Sequence, residues 1–232
     1  MKPSKHNLTK VGSSAAADAS VGARARRGRP PQRRAVPDLR PRQAVTDPRC
    51  PDDQIAGVVV TRAQIARRIG VLARHIAAEY ARRELTILAV LTGSLVFLSD
   101  LIRRMPLRMR LNLVSVSSYP GQATTSQGPV FVLPEMDLSG KDVLVLDDIL
   151  DSGQTLSGIV RAVKGLHPAS VRTCVLVRKD RPDVDGRIEP DFWGFDVNNE
   201  FLVGYGLDFD NLYRNLPDLC VLRHGGDGEA RP

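Results

Sequence analysis

The stretch from Val143 to Thr155 constrains this chain more than any other. Val143, Leu144, Val145 and Leu146 form an uninterrupted apolar run, the pattern of a buried strand. Two adjacent carboxylates, Asp147 and Asp148, sit at its carboxyl end. A third acid, Asp151, then leads Ser152, Gly153, Gln154 and Thr155 into a helix. Such a turn gathers backbone N–H groups and hydroxyls at a helix N-terminus, where a phosphate binds well. The acids suit a polyhydroxyl sugar or a metal, because ionised carboxylates are pure acceptors. One short segment therefore offers a site for a sugar phosphate.

Strand and helix alternate around it. Val58 to Val60 is short and apolar, and Thr61 and Gln64 have the spacing of a capping box. Ile65, Ile69, Leu72 and Ile76 follow helical spacing through about Arg82. Leu85 to Leu91 reads as a buried strand, Thr92-Gly93-Ser94 as a turn, and Leu95 to Arg104 as a helix that Pro106 ends. Leu107, Met109, Leu111 and Leu113 alternate with Arg108, Arg110 and Asn112, as in a strand with one wet face. Val130 to Leu133, Val171 to Val177, Phe192 to Phe195 and Phe201 to Tyr205 are further strands, and Gly153 to Leu166 is a helix. This order predicts an α/β domain with a mostly parallel central sheet. Ligands of such sheets sit at the carboxyl ends of the strands, where the turns after Leu91 and Leu146 both lie.

Charge is unevenly spread along the 232 residues. Residues 1–50 hold 12 Lys/Arg against 3 Asp/Glu, which leaves 21 basic and 23 acidic side chains in residues 51–232. The basic character belongs to the N-terminal stretch, so net charge gives no support to a nucleic-acid surface on the domain. That stretch is rich in Arg, Ala, Pro and Ser and cannot bury enough apolar surface to offset its ordering entropy, so disorder is expected. The boundaries read as a disordered basic tail at 1–50, one domain at 51–223 and a frayed end at 224–232. Cys50, Cys174 and Cys220 are far apart and show no metal-ligand spacing, which fits a reducing, cytoplasmic compartment. No apolar run approaches the roughly 20 residues of a membrane span.

Asp147-Asp148-Ile149-Leu150-Asp151-Ser152-Gly153 resembles the motif by which phosphoribosyltransferases bind 5-phosphoribosyl 1-diphosphate (PRPP), in the form found in the hypoxanthine–guanine branch. The resemblance runs from about Val58 to Leu222. It implies the type I phosphoribosyltransferase fold, with a small C-terminal hood for the base. It also implies a role for each residue that matches. Asp147 and Asp148 would bind the ribose hydroxyls. Asp151, Ser152, Gly153, Gln154 and Thr155 would cradle the 5′-phosphate, with Gly153 free to take positive φ. Asp151 would face the purine N7 as general base. Leu91-Thr92-Gly93-Ser94 resembles the pyrophosphate loop, which carries a cis peptide in this family. Many relatives have Lys or Arg where this chain has Thr92.

Ser118 and Tyr119, followed by a polar stretch to Gly128, resemble the lid that meets the diphosphate. Lys179 matches the lysine that donates to the purine O6. The interval to Phe192 is one residue longer than usual, so Arg178 is an alternative. Glu200 to Asp208 resembles the base site, where Phe201 would stack on the purine, the Leu202 backbone would pair with its edge and Asp208 would help hold Mg²⁺. Asp147 and Asp148 would share that metal, and Arg214 would meet the pyrophosphate.

The resemblance implies a Mg²⁺-dependent purine-salvage transferase. It would give IMP or GMP from PRPP and a 6-oxopurine, and would assemble as a homodimer or homotetramer. Two alternatives are a xanthine-preferring enzyme and an RNA-binding nucleotide sensor of the same fold. The residue at 151 and the charge of the domain both weigh against the sensor.

Overall fold

A computed structural model of the chain describes residues 55–117, 130–132 and 136–223. Residues 1–50, Ser118, Tyr119 and the stretch to Gly128, and residues 224–232 lie outside the described residues. The strands are β1 (Ile55–Val60), β2 (Leu85–Leu91), β3 (Met109–Ser117), β4 (Val130–Val132), β5 (Asp142–Leu150), β6 (Ser170–Lys179), β7 (Phe192–Val197), β8 (Leu202–Val203) and β9 (Leu219–Leu222). Three helices stand between them: α1 (Arg62–Glu79), α2 (Ser94–Ile102) and α3 (Gln154–Lys164).

The main sheet has the order β4-β3-β2-β5-β6-β7. All its pairs are parallel except β3 with β4. Alternation along the central strands explains the layers. Ile87, Ala89, Leu144, Leu146 and Leu176 join Ile69, Leu72, Phe97 and Leu101 from α1 and α2 in one buried cluster. Leu88, Val90, Val143, Val145 and Val175 join Leu156, Ile159 and Val163 from α3 in another. Strands buried on both faces carry no polar alternation, which is why Val143 to Leu146 reads as a continuous apolar run. Each fully buried aliphatic side chain stabilises the fold by roughly 1.5–3 kcal/mol.

α1 begins as its sequence predicts. Thr61 accepts from the Gln64 backbone N–H and Gln64 reaches back to the Thr61 N–H at 2.8 Å. It ends at Glu79, before Arg82, whose φ is +67°.

The chain passes from β2 outward to β3, then returns to the other side of β2 to lay down β5. The direction of winding therefore reverses between β2 and β5, and the crevice beyond their carboxyl ends is where such a sheet takes ligands.

Three readings of the sequence need correction. The alternation of β3 is present, but the face it marks is not covered. Leu111 and Leu113 are 46% and 45% exposed, whereas Val114 is buried. α2 packs on β2 and β5 and α1 on β7, so helix cover thins out at β3. Phe201 to Tyr205 is not a full strand. Only Leu202 and Val203 pair with β9, because positive φ at Gly204, Tyr205 and Gly206 turns the chain away. β5 does not stop at Leu146 but runs to Leu150, so Asp147 and Asp148 lie within it. β9, which the sequence reading did not identify, joins β1 and β8 antiparallel in a second, small sheet.

Candidate active site

β5 outruns its neighbour on one side. Its pairing with β2 ends at Ala89 and Leu146, while β6 accompanies it to Leu150 and Arg178. The space where β2 gives out is taken by the turn after it, and the peptide bond Leu91–Thr92 there is cis. Gly93 lies against Asp148 so closely that a Cβ on it would fall 1.5 Å from Asp148 Oδ2. From the other side Gly206 packs on the Gly93 carbonyl. The Thr92-Gly93 turn, the acid pair and the 204–207 turn thus meet at one place.

Asp147 is 7% exposed and Asp148 partly buried. Each carboxylate accepts from the next backbone N–H, Asp147 from Asp148 at 3.0 Å and Asp148 from Ile149 at 2.8 Å. Burial, then the charge of Asp148, pushes the Asp147 carboxyl well above its ordinary range. Burial pushes Asp148 up as well, against the hydrogen bonds it accepts and the charge of Arg214. Two acids held this way are short of positive charge.

Asp151 has the opposite electrostatics. Partial burial raises its carboxyl, but Lys179 and Arg181 outweigh that and hold it below the usual Asp range. Lys179 Nζ donates to Oδ2 at 2.9 Å, and Arg181 donates to Oδ1. The Ser152–Gly153 turn follows, with Gly153 at φ +79° capping α3. Gln154 N stands 3.5 Å from Ser152 Oγ, and the Ser157 N–H already donates to the Gly153 carbonyl. The first N–H groups of α3 therefore have no carbonyl partner within the helix.

Lys179 and Arg178 end β6 and take different surroundings. Arg178 lies over the Trp193 ring, 4.3 Å from its centroid, and donates to Asp196 at 2.6 Å and Glu189 at 2.7 Å. Lys179 alone of the two reaches Asp151. Arg214 donates to the Gly206 carbonyl at 2.8 Å and pairs with Asp208 at 2.8 Å. Asp208 also accepts from the Asn211 N–H at 2.9 Å. Phe201 meets Phe209 edge to face at 5.5 Å and packs on the cluster of Val203, Leu216 and Cys220. Leu202 is held in β8 opposite Val221.

A cavity of about 610 Å³ borders Arg214, lined also by Arg62, Val96, Asp100, Tyr205 and Leu216. None of Asp147, Asp148, Asp151 or Lys179 lines it, so the acids sit outside that cavity. Its polar floor is satisfied internally by the Tyr205 hydroxyl, which donates to Asp100.

Known proteins resemble this chain over most of its length. The phosphoribosyl transferase domain model matches residues 59–210. The chain belongs to the phosphoribosyltransferase family. Within the family, it is 41% identical over 177 residues to the hypoxanthine-guanine phosphoribosyltransferase of Mycobacterium avium, covering 72% of this chain and 86% of that one. The enzyme of the same name from Dictyostelium discoideum is 37% identical over 172 residues, covering 72% and 94%. Among solved structures, the hypoxanthine phosphoribosyltransferase of Trypanosoma cruzi in complex with the product IMP superposes with a TM-score of 0.67 at 31% identity, covering 74% and 96%. The fold is accordingly the type I phosphoribosyltransferase α/β fold, its mostly parallel sheet flanked by helices.

Arg181 and Arg187 contact Asp151 and Asp183 pairs with Arg181, and these three were not singled out by the sequence reading. The signal was there: the polar connection 180–191 between β6 and β7 exceeds the usual length of such loops, and long polar loops are commonly functional.

Proposed function

We propose that this phosphoribosyltransferase serves purine salvage, moving the 5-phosphoribosyl group of PRPP to N9 of hypoxanthine or guanine. The products are IMP or GMP and pyrophosphate. The observation that carries this reading is the convergence at the β2–β5 switch point: a buried acid pair, a helix-opening turn, and a third acid held by a lysine. The acid pair accepts from the ribose diol. The Asp151–Thr155 turn takes the 5′-phosphate through backbone N–H groups and the Ser152 and Thr155 hydroxyls. Lys179 reads the purine O6, a role that the placement of Arg178 on Trp193 supports. Asp151 accepts the N7 proton. Phe201 and the Leu202 backbone serve the base. Thr92, Gly93, Ser118, Tyr119 and Arg214 serve the pyrophosphate.

Mg²⁺ belongs to the same proposal. Among the described residues no group of three or more His, Cys, Asp or Glu side chains gathers to hold a metal. Mg²⁺ needs no such cage, since it is commonly held by one or two carboxylates together with substrate phosphates. The upward-shifted Asp147 and Asp148, short of positive charge, fit that demand, and Asp208 is a further carboxylate donor. When bound, the ion supplies positive charge for the leaving pyrophosphate. The ribosyl carbon turns electron-poor as that group leaves, and the ionised acid pair stabilises it.

Assembly as a homodimer or homotetramer is likewise proposed. Leu95 and Leu113, 48% and 45% exposed, are apolar side chains a second copy would cover. A monomer by sedimentation would contradict that. A cytoplasmic location fits Cys174 and Cys220, both buried free thiols. Among the described residues no helix is long and apolar enough to cross a membrane.

The test offers PRPP and Mg²⁺ with hypoxanthine, guanine, xanthine and adenine separately. IMP or GMP formation with adenine inert is expected. Preferential use of xanthine would move the base assignment. Absence of nucleotide with every base would overturn the reading.

A further inference from the structure

Three cations from the end of β6 and the connection after it converge on one residue. Lys179 holds Asp151 Oδ2, and Arg181 holds Oδ1. Arg187 Nη1 donates to the Asp151 carbonyl at 3.1 Å and to the Lys179 carbonyl at 2.8 Å. Arg181 is itself braced. Its Nε and Nη2 donate to the two oxygens of Asp183 at 2.9 and 2.8 Å, a two-pronged pairing that fixes the guanidinium plane. Arg181 is only 20% exposed, so this is not a free rim pair of the kind worth little.

We propose that Arg181, braced by Asp183, is a positioning residue for Asp151, holding one carboxylate oxygen so that the other is the one offered to the purine. The inference rests on the base-side reading above. Once a purine O6 takes Lys179, Oδ2 is released to face N7. Arg181 stays on Oδ1 because Asp183 holds its other edge. Without Arg181 the carboxylate follows Lys179 or turns away. The charged groups facing Asp151 are Lys179 on β6 and Arg181 and Arg187 on the connection, with Asp183 against Arg181. Of these, Lys179 and Arg181 keep its carboxyl low, so losing Arg181 also makes it easier to protonate.

The test is the pH profile of kcat/KM for hypoxanthine at saturating PRPP, in the full chain and in Arg181→Ala, Arg181→Lys and Asp183→Asn. In Arg181→Ala we expect kcat to fall about tenfold or more, the acidic limb to move up by about half a pH unit or more, and KM for PRPP to hold. Arg181→Lys restores the limb but only part of kcat, since it keeps the charge and loses the fork. Asp183→Asn lowers kcat by less, because the guanidinium plane is no longer fixed, without an upward move of the limb, because the charge of Arg181 stays; it carries the test alone if Arg181→Ala does not fold. A limb and kcat unchanged in Arg181→Ala, or a kcat unchanged in Asp183→Asn if only that variant folds, would overturn the inference. An unsubstituted chain that makes no nucleotide would instead overturn the base-side reading itself.

Discussion

Asp147 carries a carboxyl into the sheet interior with one backbone N–H for company, and that arrangement costs stability. Its folded-state affinity for a proton is raised above that of the unfolded chain. The folded form therefore binds more protons than the unfolded form above the ordinary Asp pKa of about 3.9, and stability falls as pH rises through that window. Asp147→Asn keeps the oxygen that accepts from Asp148 and removes the charge. In metal-free buffer its melting temperature should exceed that of the parent at pH 7.5, with the gain shrinking toward pH 4.5. An Asn variant that melts lower at pH 7.5 would contradict this. Gly93 is a different case, because what matters is space. A methyl group there meets Asp148 head on, so Gly93→Ala must displace the carboxylate assigned to the ribose. PRPP binding by calorimetry should weaken by about tenfold or more, equivalent to about 1.4 kcal/mol, with the fold retained. Unaltered affinity would remove Asp148 from the sugar site.

At the scale of elements, α3 is tied to the connection between β6 and β7 through Gly153. The glycine takes positive φ, and a Cβ on it would stand 2.9 Å from Arg187 Cγ. Gly153→Ala should cost about 1–3 kcal/mol in chemical denaturation and lower PRPP affinity along with it, since the turn that caps the helix is also the one proposed to hold the phosphate. A neutral substitution would mean that the turn relaxes freely. The turn was legible because a strand, two acids and Asp-Ser-Gly occur in sequence, each with local chemistry. Arg181 and Arg187 were not, because their meaning depends on the 180–191 connection folding back over Asp151. The same holds for Leu111 and Leu113. Their alternation is local, but whether a helix covers them is decided by elements far away in the chain. β9 was missed although Leu219, Cys220, Val221 and Leu222 are a short apolar run; four such residues do not say which strands they pair with, and its partners β1 and β8 lie elsewhere in the chain.

For the whole molecule, the sheet order explains why residues from four parts of the chain reach one place. Winding outward from β2 in both directions leaves a single crevice. Thr92 and Gly93 come to it from β2, Asp147 to Thr155 from β5, Lys179 from β6, and Gly206 to Arg214 from the C-terminal segment. Every residue assigned to the site lies beyond residue 90. A chain beginning at residue 51 should keep its melting temperature and its nucleotide-forming rate. Loss of the cooperative transition would show that the N-terminal stretch 1–50 packs on the domain.

The central claim is that one strand-turn-helix segment serves both the sugar phosphate and the base. Asp151→Asn separates these duties. PRPP affinity should be retained, because the backbone of the turn and the ribose acids are untouched, while turnover with hypoxanthine falls about a hundredfold or more. Turnover equal to the parent's would take Asp151 out of the reaction and leave the segment a phosphate cradle only.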